Sequence, residues 1–294
     1  SRGETFIIDT LCDPSRTRRM LSAVRTAEPA AKRIDTVFIT HWHVDHSMGL
    51  AALKDSRIIM SRLCAADIQN MPPEKWVQRI AGLEGDAKRM MDELTGHKFD
   101  FSDVEYVPPT DLFERHLELK VGDETIVIEE MGPTHTKSDS IVFVPGKDIA
   151  FGGDLLHPGI HLTLQHPFVD NWINACAKML SWNAKLYVPG HRAFCRKADV
   201  EEHRDYLLFI KQEARKRFDA GTPALEAAED MATKLGPFQH YRRPEALLTS
   251  VAMLYAGFEG KRTTARENYS EFLASRWHFR NRLRARYPEL PMAF

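Results

Sequence analysis

Residues 40–50 read Thr-His-Trp-His-Val-Asp-His-Ser-Met-Gly-Leu, and within them His41, His43, Asp45 and His46 crowd three imidazoles and a carboxylate into six consecutive positions. The cluster follows directly on an apolar, β-branched run at residues 34–40 (IDTVFIT), which predicts a short buried strand. Open α/β sheets collect their ligands where strands end. Alternation along an extended segment sends His41 and His43 to the same side. A turn after Val44 would bring Asp45 and His46 round to a common point. Imidazole and carboxylate are ligands that zinc-like divalent ions accept. The stretch can therefore serve two adjacent metal positions, one from His41 and His43 and another from Asp45 and His46.

Outward from the cluster, residues 5–9 (TFIID) predict a second strand, and residues 15–25 (SRTRRMLSAVR) predict a helix capped by Ser15. Strand, helix, strand opens a layered α/β arrangement. A helix is expected over 47–53, as the cluster ends, and a mostly helical stretch over 67–94, interrupted at Pro72 and Pro73. From residue 117 the periodicity changes, and strands are expected at 117–121, 125–130, 140–144, 149–151 and 185–188, with a helix at 174–180. After residue 199 strand signals stop. Helices are expected at 199–218, 223–235 and 244–258, and the Arg- and aromatic-rich tail, 261–288, can form one more. The organisation read from these patterns is a sheet-rich core, residues 1–198, with a helical extension, residues 199–294, packed on it.

Composition bounds the partners. The chain has 294 residues, 43% of them hydrophobic and 28% charged, with a formal net charge of −1, so a sizeable core is available. A near-neutral chain gives no reason to expect nucleic acid or membrane, and no apolar run reaches the ~20 residues that span a bilayer. The four cysteines form no C-x-x-C pair and read as buried thiols. The opening SRGETFIIDT lacks an initiator Met and a signal-peptide pattern, and it begins almost within a strand. An upstream segment is therefore expected, and cytoplasm and periplasm both stay open.

The His41–His46 stretch resembles the H-x-H-x-D-H signature of the metallo-β-lactamase superfamily at every position, and later segments resemble the rest of that pattern in order. GPTHTKSDSIVFVP supplies His135, IAFGGDLL supplies Asp154, LYVPGH supplies His191, and IIDT near residue 9 resembles the strand that opens the family's first half. The resemblance implies an α/β fold of the αββα sandwich type, with metals at one edge of the sheets. It implies that His41, His43 and His135 hold one zinc ion and that Asp45, His46 and His191 hold a second, with Asp154 between them. One or two zinc ions per chain would lower the pKa of water towards ~7. Asp45 and Asp154 are the catalytic carboxylates in this reading, Asp45 orienting the nucleophile or moving its proton.

Around that set, His157, His161 and His166 follow Asp154 closely and read either as substrate contacts or as ordinary loop histidines. Trp42, Phe168, Trp172 and Trp182 can supply aromatic surface for a flat substrate or simply fill core. Asn171, Asn174 and Asn183 can donate hydrogen bonds. The Arg-rich tail carries interleaved Glu267, Glu271 and Glu289, and so reads as a solvated amphipathic helix that could face a second subunit, making a homodimer the expected state. The expected activity is hydrolysis of a small organic molecule. A closer resemblance to chlorothalonil dehalogenases implies hydrolytic dehalogenation of a chlorinated aromatic in xenobiotic breakdown. Lactone, ester or thioester hydrolysis is the alternative. An iron-dependent dioxygenase of the same scaffold is the reading from another class.

Overall fold

The computed structural model describes residues 3–96 and 99–292. Its first sheet is wholly parallel, with β1 (Phe6–Ile8), β2 (Thr36–Ile39), β3 (Arg57–Ser61) and β4 (Asp111–Phe113) side by side in chain order. The second sheet runs antiparallel through β5 (His116–Val121), β6 (Glu124–Gly132), β7 (Asp139–Val144) and β8 (Ile149–Gly153), and closes with β9 (Leu186–Pro189) parallel to β8.

The two-residue period of a strand decides which face meets what. Phe38 and Ile59 pack between the sheets against Ile126, Ile128 and Val142. Their neighbours Val37, Ile39, Ile58 and Met60 point the other way, towards Leu21 of α1 (Pro14–Ala27) and Cys64 and Ile68 of α3 (Arg62–Asn70). Across the second sheet, Ile141 and Ala150 face Trp172, Cys176 and Met179 of α6 (Val169–Ser181). The layering is α-β-β-α, as the family resemblance implied. The same outer core continues into α7 (Lys197–Asp219), α8 (Ala224–Thr233) and α9 (Ala246–Phe258) through Tyr206, Leu207, Ala228, Leu247 and Val251.

Several local expectations are corrected. The cap of α1 is Asp13, not Ser15: its carboxylate accepts the Arg16 N–H at 2.7 Å, and Pro14 takes the first helical position. The helix read at 47–53 is instead one α turn, α2 (Val44–Ser47), followed by a 3-10 stretch, Met48–Leu53. The stretch 67–94 breaks twice, giving α3, α4 (Pro73–Ala81) and α5 (Gly85–Thr95), because Gly82 and Gly85 interrupt it after the prolines do. β3 and β4 escaped the sequence reading. All four cysteines are buried thiols.

The tail departs furthest from expectation. Its helix α10 (Tyr269–Arg286) is not a solvated one: Arg276 and Arg280 are buried, each 3.4 Å from the buried carboxylate of Glu245. Arg280 also reaches Glu93 of α5 at 2.6 Å. The charges that suggested water are spent on fastening α10 between α5 and the start of α9.

Candidate metal centre

The centre lies where β2, β7, β8 and β9 begin or end. β2 delivers Thr40 and His41, and α2 begins three residues after His41, so the chain turns and presents Asp45 and His46 from its first helical turn. The turn between β6 and β7 carries His135. It is pinned by buried Asp139, which accepts from the Thr136 N–H at 2.6 Å and from the Thr136 hydroxyl at 3.0 Å. β8 ends beside Asp154 and β9 beside His191.

These residues converge in two groups: His41, His43, His135 and Asp154, and Asp45, His46 and His191, the ligand atoms within each lying no more than 4.8 Å apart. In the first, His43 Nδ1 stands 3.2 Å from His41 Nε2 and 3.0 Å from His135 Nε2. Asp154 sits between the groups, Oδ2 being 3.4 Å from His135 Nε2 and Oδ1 3.3 Å from His46 Nε2 and 3.5 Å from His191 Nε2. Asp45 Oδ2 lies 2.9 Å from His191 Nε2.

Electrostatics separates the groups. Burial, with His46 nearby, pushes His41 down to about 3, and burial does the same to His135 despite the opposing pull of Asp154. Burial, reinforced by Arg266, holds His43 well below the imidazole range. Three neutral imidazoles whose ring nitrogens converge are what a divalent ion requires. In the second group the Asp154 carboxylate pushes His191 up to about 10. Burial resists a charge on His46, but Asp154, Asp45 and Asp9 outweigh it and raise its pKa. Burial likewise opposes ionisation of Asp154, yet His46 and His191 hold its carboxyl well below the usual range. This group is built to hold positive charge.

The donor set fits a pair of divalent ions. His46 Nε2 and Asp154 Oδ1 are both buried and neither makes a hydrogen bond, although they face each other at 3.3 Å. Gly190 makes room: a Cβ there would overlap Asp154 Oδ1 and stand 2.9 Å from His46 Cε1. The far nitrogens are oriented from behind, as ligating histidines generally are. His46 Nδ1 is 2.8 Å from Asp9 Oδ2, and His41 Nδ1 is 3.0 Å from the Thr40 hydroxyl, which itself donates to Asp9 at 2.8 Å. Asp9 holds a left-handed backbone, φ 62°, to reach this place. Its carboxylate was visible in IIDT, but only as the end of a strand.

Beside the centre opens a cavity of about 610 Å³, within the usual range for small-molecule sites. Trp42 and Val44 border the metal residues, while Trp76 and Ile80 of α4, Met91 and Leu94 of α5, and Tyr269 and Phe272 of α10 make an apolar and aromatic wall. His157 and His161 also line it, His157 with Nε2 3.9 Å from Asp154 Oδ2.

The other expected substrate contacts lie elsewhere. Trp172 is buried behind His135, its ring 5.6 Å away and its indole N–H donating to the Leu155 carbonyl at 2.9 Å. Trp182 stacks on Phe143 at 5.0 Å on the outer face of the second sheet. Phe168 lies over His166 at 6.4 Å, and neither lines the cavity. Asn171 donates to the Pro133 carbonyl at 3.1 Å, so it supports the His135 turn from a separate hollow that Asn174 also lines. Asn183 accepts from Lys197 at 3.1 Å, beyond the end of α6. The sequence reading missed Arg266, whose Nη1 is 3.0 Å from His43 Nε2. It lines the cavity with Arg243 and Arg276.

The family model described as the metallo-β-lactamase superfamily matches residues 1–191. This chain belongs to that superfamily, and its two groups of His and Asp residues could hold metal ions. No curated protein matches it. Among solved structures, it is similar to a stereoselective inverting sec-alkylsulfatase from Pseudomonas sp. (TM-score 0.67, 15% identity), covering 86% of this chain and 46% of that one. It is also similar to a metallo-β-lactamase from Pontibacter korlensis (TM-score 0.52, 18% identity), covering 69% of this chain and 81% of that one. The chain thus spans less than half the length of the alkylsulfatase, and identities this low speak for the fold alone. No helix among the described residues is long and apolar enough to cross a membrane.

Proposed function

We propose that this protein is a zinc hydrolase of small, largely apolar organic molecules, and that its substrate is an electron-poor chlorinated aromatic. The observation that carries the reading is a seven-residue ligand set opening onto a cavity walled by Trp42, Trp76, Tyr269 and Phe272. His41, His43 and His135 would hold one ion and Asp45, His46 and His191 the other, with Asp154 facing both. Bound there, divalent ions lower the pKa of water towards ~7 and polarise the electrophile. The aromatic wall stacks the ring so that the halogen-bearing carbon faces the centre. Asp45 orients the attacking water and takes its proton. The carbon–oxygen bond forms, the carbon–chlorine bond breaks, and chloride leaves with the pair of electrons, so water and aryl chloride yield a phenol and hydrochloric acid.

A panel of chloronitriles, lactones, carboxylic esters and thioesters, assayed with the zinc-loaded protein, tests this. Chloride release with phenol formation supports the reading. Turnover of the acyl compounds alone replaces dehalogenation with acyl hydrolysis at the same centre. Iron with oxygen uptake moves the protein to the oxidoreductases.

A further inference from the structure

Arg266 sits in the turn just before α10, fixed by the Ala265 N–H donating to the Gln165 carbonyl at 2.9 Å. Its guanidinium lies against the rings of Tyr269 and Phe272, 5.6 and 5.9 Å from their centroids. Among the described residues no carboxylate forms an ion pair with it, and its buried Nε makes no hydrogen bond. The guanidinium's hydrogen-bond contact among the described residues, from Nη1 to His43 Nε2, is compatible only with a proton on His43 Nδ1. That is the nitrogen aimed at His41 and His135. An ion held by His43 Nδ1 puts the ring proton on Nε2, and two donors then face each other. A guanidinium cannot accept. It must swing away from His43, and the surface it already lines is the cavity.

We infer that Arg266 is the anion-recognition group of the substrate cavity: metal binding releases it from His43, and it then grips a single oxyanion, carboxylate or sulfonate, carried by an otherwise aromatic substrate. The inference rests on the metal-hydrolase reading and narrows its substrate class. A half-buried cation without a carboxylate partner is costly, and a planar fork over an aromatic floor offers paired donors to a carboxylate or sulfonate. The apolar wall takes the rest of the molecule.

Isothermal titration with 2-naphthoate, naphthalene-2-sulfonate and neutral 2-naphthamide tests it, on wild type, Arg266→Gln and Arg266→Lys. Metal content and far-ultraviolet dichroism are checked on each sample. In metal-loaded wild type at least one anion is expected to bind at least 10-fold tighter than the amide, with the discrimination collapsing to under 3-fold in Arg266→Gln and intermediate in Arg266→Lys. Metal-free wild type should discriminate little. Loaded protein that shows no preference, or a preference kept in Arg266→Gln, overturns the assignment and points to the ions themselves as the anion's partner. Should Arg266→Gln fail to fold, full wild-type discrimination in Arg266→Lys overturns the fork, and lost or intermediate discrimination supports it. Samples that take up no metal overturn the hydrolase reading, and the release step with it, an outcome separate from loaded protein without discrimination.

Discussion

His46 faces three carboxylates: Asp9 at 2.8 Å behind it, and Asp154 at 3.3 Å and Asp45 at 3.6 Å in front. Their combined pull explains its raised proton affinity, and a divalent ion would displace that proton. Removing the rear partner leaves the ligand in place but loosely aimed. Asp9→Asn is expected to weaken binding of the ion at His46 by about 10–100-fold, and that of the ion at His41, which Asp9 reaches only through Thr40, by less, as read by metal titration. His43→Ala and His135→Ala remove ligands outright. Each should lower turnover by at least ~10³-fold together with metal content, given what metal activation of water supplies. Near-normal rates in either variant would refute the assignment. The cluster from His41 to His46 was legible in the residues themselves, while His135, Asp154 and His191 were legible only through the resemblance of their segments to the family's pattern. Arg266 was not, since it meets His43 across 223 residues of chain.

At the scale of elements, α10 is fastened by a buried charge cluster set within an apolar stripe of Tyr269, Phe272, Leu273, Phe279 and Leu283. Glu245 heads it, with Arg276 and Arg280 at 3.4 Å and Arg243 at 3.7 Å. Breaking a buried pair by removing one partner typically costs about 3–5 kcal/mol. Glu245→Gln should therefore lower the melting temperature well beyond a surface change and loosen the wall carrying Tyr269 and Phe272. Unchanged melting would mean that α10 is held by packing alone. The tail misled a reading from composition because charge density does not tell which guanidiniums find buried carboxylates. β3 was hidden for a different reason: RIIMS is a short apolar run that periodicity cannot separate from the helix after it. β4 has only three residues and no alternation to read.

For the whole molecule, acid and alkali should act on opposite groups. Burial pushes His41, His135, His157 and His161 down to about 3. Unfolded, they would titrate near ~6.5. The unfolded chain then takes up protons that the fold refuses, so this stability is complete above ~6.5 and drains away as pH falls towards ~3. His191, raised to about 10 by Asp154, works in reverse, its contribution being full below ~6.5 and lost as pH climbs through its folded value. Metal-free protein should melt highest near neutrality and about 10 °C lower near pH 4.5, and metal should erase the alkaline decline by taking the place of the protons. Calorimetry with and without chelator checks both, and a melting temperature flat across this range would contradict them. The layered fold was legible from strand and helix periods, whereas which helices close the cavity was not, since that depends on packing between segments far apart in sequence.

Apart from Trp42 and Val44, which lie among the candidate ligands, much of the apolar wall of the cavity comes from α4, α5 and α10, none of which contributes a candidate ligand. The candidate ligands and most of the apolar wall are thus housed in different stretches of chain. A mutational library confined to Trp76, Ile80, Met91, Leu94 and Phe272 would retune which molecules enter while leaving the candidate metal ligands untouched, making this scaffold a ready chassis for directed evolution.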